Sequence, residues 1–130
     1  MKYFPQECIL TSYQLKALCD EWKIILGLEN WHMAIMLVKQ REIDGLQGQC
    51  EWSLIGREAP IKILRHDNFD ADYFDHDMEK VLVHEMLHCV FGDISDADAQ
   101  LEQNIDLLAN ALVGLKRESN VDNKRTKQSK

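Results

Sequence analysis

The sequence predicts an α+β domain made of an N-terminal helix, a small three- or four-stranded mixed sheet, a buried helix and a final helix. Three patterns lead there. Apolar residues recur at helical spacing near both ends of the chain. Short apolar runs bounded by turn residues fill the middle. One segment, 78–91, is apolar around nearly its whole circumference. At 130 residues with 45% hydrophobic residues, the chain can bury one core but not two. We therefore expect one domain over residues 1–116, followed by a polar, basic and disordered tail, 117–130.

Thr11 or Ser12 can cap the first helix, whose apolar positions Leu15, Leu18, Trp22, Ile25 and Leu26 recur at helical spacing until Gly27 stops it. Residues 31–38 are too apolar and too short for a second amphipathic helix and read as a buried strand. Gly45 and Gly48 mark a turn region, and residues 49–55 and 61–64 are two further strands separated by 56–60. The acidic stretch 67–77 reads as a loop in which Asp75 or Asp77 can cap the next helix, 78–91. The last helix, 97–115, has its apolar stripe at Leu101, Ile105, Leu108, Leu112 and Leu115.

Composition excludes several classes. No apolar run approaches the roughly 20 residues that span a bilayer, so no membrane partner is expected. The first residues lack the apolar region and cleavage site of a secretory signal, so a cytoplasmic location is expected. Cys8, Cys19, Cys50 and Cys89 are scattered without a C-x-x-C pair, which argues against a cysteine-based zinc ribbon and a disulfide framework, leaving buried thiols. The net charge of −7 disfavours binding to nucleic acid through phosphate neutralisation. That charge is uneven: from Lys116 onward six basic residues stand against two acidic ones, net +4, leaving −11 for residues 1–115.

The chemistry concentrates in His84-Glu85-Met86-Leu87-His88. Residues four apart share a helix face, so His84 and His88 can bind one zinc ion together. Glu85 is about 60° around the helix from His88, close enough for its carboxylate to reach a water activated by that zinc without being a ligand. This is the arrangement that metal-assisted hydrolysis needs, with Glu85 as general base and then acid. Two histidines and a glutamate in an otherwise apolar helix would cost about 1–3 kcal/mol each if left unsatisfied, which favours a site over ordinary core packing.

A catalytic zinc needs a third protein ligand and an open fourth position. No histidine follows His88, and Ile94 stands where the pattern H-E-x-x-H-x-x-G-x-x-H would need its last one. The third ligand is then a carboxylate among Asp93, Asp96, Asp98, Glu102, Asp106, Glu118 and Asp122. A short connection between the last two helices makes them antiparallel neighbours. Counting turns from that connection brings Glu102 level with His88 and Asp106 level with His84. Glu102 is thus the expected ligand, with Asp98 as its rival one turn earlier. Asp106 is expected to orient His84 through the free ring N–H. Both share a face with Ala109 and Val113, so that face turns inward.

His84-Glu85-x-x-His88 followed by Glu102-x-x-x-Asp106 resembles the gluzincin metallopeptidases, over about 23 of the 130 positions. The short interval between the two motifs makes the chain similar to the minimal forms, the minigluzincins, and to small phage-type metallopeptidases. The resemblance implies a zincin-like fold and one Zn2+ per chain. It also implies a peptide or protein substrate, held as an added strand on the sheet edge beside the active-site helix. One feature departs from the larger family members, which carry a downstream His or Tyr for the oxyanion. Here every His and Tyr precedes Cys89, so upstream Tyr73, His76 or His66, or the zinc alone, would take that role. The alternative is a zinc-binding regulatory or structural module without proteolytic activity, acting for instance on a DNA-associated partner.

Overall fold

A three-stranded mixed sheet carries three helices, and the helix with the histidine motif packs against the sheet and against both other helices. The computed structural model describes residues 10–43, 46–53, 55–65, 77–91 and 99–128. The elements are α1 (Ser12–Leu26), β1 (His32–Val38), β2 (Gly48–Cys50), β3 (Glu58–Leu64), α2 (Met78–Phe91) and α3 (Ala99–Gln128). None of the described helices is long and apolar enough to cross a membrane.

Helix α1 begins with a reciprocal cap. Thr11 Oγ1 accepts from the Gln14 N–H at 3.1 Å, and Gln14 Oε1 accepts from the Thr11 N–H at 2.9 Å. It ends at Gly27, whose φ of 73° is the left-handed conformation that glycine adopts without strain. Leu15, Cys19 and Trp22 are buried, whereas Ile25, expected on the same stripe, is half-exposed.

The strand order is β1-β3-β2, with β1 parallel and β2 antiparallel to the central β3. Ala59, Ile61 and Ile63 of β3 are fully buried on one face. β1 was expected to be buried throughout. It instead alternates, with Met33, Ile35 and Leu37 packed against the core and Ala34 and Met36 exposed. β2 is shorter than expected from 49–55. Gly48, expected in a turn, is its first residue, and past Glu51 the chain closes a tight hairpin through a single bridge between Ser53 and Glu58. The result is a short edge strand beside α2.

α2 occupies the expected span, and Asp77 caps it: its Oδ1 accepts from the Lys80 N–H at 3.3 Å and its carbonyl from the Val81 N–H at 3.0 Å. Leu82, Val83, Met86 and Leu87 are at most 1% exposed, and each such side chain stabilises by about 1.5–3 kcal/mol. α3 packs against α2 through Ile105, Ala109 and Val113, with Leu101 and Leu112 half-buried beside them. Leu108 and Leu115, expected in the buried stripe, are exposed.

The helix was expected to stop near 115, but α3 continues to Gln128. One physical reason lies at its junction with α2. Arg117 donates to both oxygens of Asp77, at 2.7 and 2.9 Å, and to Glu79 at 3.3 Å. Lys116 Nζ donates to Glu79 at 3.0 Å and stands 5.4 Å from the centre of the Trp22 ring. The Trp22 indole N–H also donates to Glu79, at 2.8 Å. Arg117, expected at the head of a disordered tail, and Lys116 just before it thus clamp three helices together.

Candidate metal centre

The antiparallel packing of α2 and α3 decides which acid meets the histidines. His84 Nε2 lies 3.0 Å from Glu102 Oε2, and His88 Nε2 lies 2.8 Å from Glu102 Oε1. One turn deeper, His84 Nδ1 lies 3.5 Å from Asp106 Oδ1. The two imidazoles are 5.4 Å apart between ring centres, as expected for residues one turn apart on one helix face.

His84, His88 and Glu102 form a group that can hold a metal ion, with ligand atoms all within 4.8 Å of one another. Tetrahedral zinc, with bonds of about 2.0–2.1 Å, sets its ligand atoms about 3.3 Å apart. Glu102 already bridges both imidazoles more closely than that, so an ion needs only small side-chain adjustments to enter. The donor set of two neutral nitrogens and one carboxylate suits zinc. Both histidine side chains are largely buried, at 18% and 16% exposure, whereas Glu102 is 46% and Asp106 67% exposed. The face carrying these acids turns inward at Ala109 and Val113 but opens at the metal-binding end.

Comparison of the chain with protein-family models, with curated proteins and with solved structures gave no match. The geometry therefore carries the functional argument.

Glu85 sits beside the cluster and is 8% exposed. Burial pushes its pKa from 4.5 up to about 7; His84 pulls it back and Glu102 adds to the rise. A carboxylate poised near neutrality can both take and return a proton. The wall opposite Glu85 is β2. A Cβ added to Gly48 would lie 2.5 Å from Val81 Cγ1 and 3.3 Å from Glu85 Cγ, so only glycine lets the strand approach this closely. The sequence showed only a glycine next to a strand candidate, which read as a turn.

The site opens into a cleft of about 760 Å³ between β2, α2 and α3. Its walls include Trp52, Lys80 and Asn110, none of which the sequence singled out, because nothing in their spacing links them to the histidines. Cys50 also lines the cleft and its thiol hydrogen-bonds that of Cys89; this contact, together with burial, pushes the Cys50 pKa up. Cys19, Cys50 and Cys89 are free thiols; Cys19 and Cys89 are buried, whereas Cys50, also expected to be buried, is only partly so. Cys8, the rival ligands Asp93, Asp96 and Asp98, the oxyanion candidates His66, Tyr73 and His76, and the side chain of Asp122 lie outside the described residues. Glu118 is described; the metal-binding group draws its acid from Glu102 instead.

Proposed function

We propose that the chain is a zinc metallopeptidase of the gluzincin type, with His84, His88 and Glu102 as metal ligands and Glu85 as general base and acid. The observation that carries the reading is the convergence of those three ligands beside a buried, non-ligating glutamate in an open cleft. Bound zinc would supply a Lewis acid that polarises the scissile carbonyl and acidifies the attacking water. Glu85 takes the proton from that water and returns it to the leaving amine. Asp106 holds His84 in the tautomer that keeps Nε2 free for the metal, by accepting from Nδ1–H. The outer edge of β2, unpaired among the described strands, offers main-chain donors and acceptors to an extended peptide, which adds to the sheet as a further strand.

A purely structural zinc site would favour four closed protein ligands. Here three ligands sit at the floor of a cleft, which supports turnover over scaffolding. The test is hydrolysis of a peptide library by the zinc-loaded chain and by Glu85→Gln. The variant should retain one zinc per chain and lose about 10²- to 10⁴-fold in rate. Equal rates in both proteins, or no zinc-dependent cleavage by either, would contradict the proposal and favour the regulatory or structural zinc module.

A further inference from the structure

Lys80 is the one lysine or arginine among the described residues that line the cleft. It lies in the first turn of α2, four residues before His84, and so on the same face about 6 Å away along the helix axis. Asp77, three residues before it, has both carboxylate oxygens engaged by Arg117. Glu79 is engaged by Lys116 and Arg117. Among the described residues, no carboxylate lies within 4.0 Å of the Lys80 ammonium. One turn beyond Asp106, the α3 wall presents Asn110, a neutral amide. The cation is thus half-buried in the cleft wall without an acidic partner among the described residues.

The course of β2 says which part of a peptide would meet it. Gly48 lies against Val81 and Glu85, and Cys50 meets Cys89, so β2 and α2 run in the same direction. Two strand residues, about 6.8 Å, keep pace with four helix residues, about 6 Å. A peptide pairing antiparallel with β2, the more stable mode per residue, runs against α2. Its carboxyl-terminal part then points toward Lys80. Measured from His84 or from the middle of the motif, Lys80 lies about 6–9 Å along this track, the length of two or three extended residues.

We propose that Lys80 selects the substrate: the site takes peptides with a carboxylate two or three residues to the carboxyl-terminal side of the scissile bond. That carboxylate is an acidic side chain or the terminal carboxyl group. The inference rests on the peptidase reading for its register, while carboxylate recognition at Lys80 can be read separately.

Two measurements test it. Peptides carrying Glu or Gln at each position around the cleavage site, each with a free or amidated C-terminus, are compared in cleavage by the zinc-loaded chain. Their equilibrium binding to Glu85→Gln, with and without zinc, is measured by fluorescence anisotropy. We expect a carboxylate at the second or third position to improve kcat/KM and affinity about three- to fivefold, as for a partly exposed ion pair, and the gain to shrink at high salt. The Glu/Gln arm and the acid/amide arm tell side chain from terminus. Lys80→Gln should abolish the preference, Lys80→Arg should keep it, and Lys80→Glu should turn it toward Lys. A preference that persists in Lys80→Gln, that falls on the amino-terminal side, or that is absent from both measurements would overturn the inference. Lys80-dependent binding without any Glu85-dependent cleavage would overturn the peptidase reading alone.

Discussion

The two ends of the α2–α3 interface solve the same electrostatic problem in opposite ways. At the start of α2, the partly buried Asp77 and the buried Glu79 meet Arg117, Lys116 and the Trp22 indole, so the chain supplies its own cations. Toward the end of α2 the polarity is exchanged: the acids Glu102 and Asp106 are on α3, and α2 answers with two imidazoles. A neutral imidazole has a lone pair to give, and a carboxylate has only lone pairs. The first end is a closed clamp. The second is an acceptor-rich cluster that can hold a cation from outside, and it opens into a cleft while the clamp is packed among three helices. Structure and chemistry are thus divided along one helix pair.

The largest effect should come from removing a metal-site donor. His84→Ala, His88→Ala and Glu102→Ala should each lower zinc content from one per chain to near none after dialysis, measured by elemental analysis, because two remaining donors hold zinc weakly. Retention of zinc by Glu102→Ala would break the comparison at its open end. At the closed end, Arg117→Ala leaves Asp77 and Glu79 short of a cation and should destabilise by about 3 kcal/mol in urea unfolding. Zinc affinity should change little, since distant sites are close to independent. A loss below about 1 kcal/mol would show that the clamp is ornamental.

Acidification should separate the two ends further. Folding raises the Glu85 pKa from 4.5 to about 7, so the folded chain holds a proton that the unfolded chain has lost between those values. Glu85 therefore opposes folding increasingly as pH rises toward 7, on the order of 3 kcal/mol in the metal-free protein. Metal-free wild type should lose more stability than Glu85→Gln between pH 5 and pH 8, and parallel curves would remove the burial effect. The smallest change should follow Asp106→Ala, where zinc affinity falls about 10- to 100-fold but the site still loads at high zinc. Unchanged affinity would leave the 3.5 Å approach to His84 without a role.

Much of this was readable from the sequence, for a physical reason. A helix apolar all round, with an Asp to cap it, has few alternatives, and α2 spans the expected residues. Counting turns across a short connection placed Glu102 against His88, because helix rise is nearly invariant. The inward face at Ala109 and Val113 was legible too, but the α3 stripe was misread at Leu108 and Leu115, which stay outside because close approach to α2 selects smaller residues. Arg117 looked like the start of a solvated tail, and Lys116 like the domain's last residue, because their partners, Asp77 and Glu79, are about 40 residues away. Ion pairs between distant segments leave no periodic trace.

X-ray absorption at the zinc edge, on the chain loaded with one equivalent, tests the central claim most directly. Coordination by His84, His88 and Glu102 predicts a shell of nitrogen and oxygen only, at about 2.0–2.2 Å, with the outer-shell scattering of two imidazoles. A sulfur shell near 2.3 Å, as cysteine thiolates would give, or failure to retain the zinc equivalent at all, would contradict it.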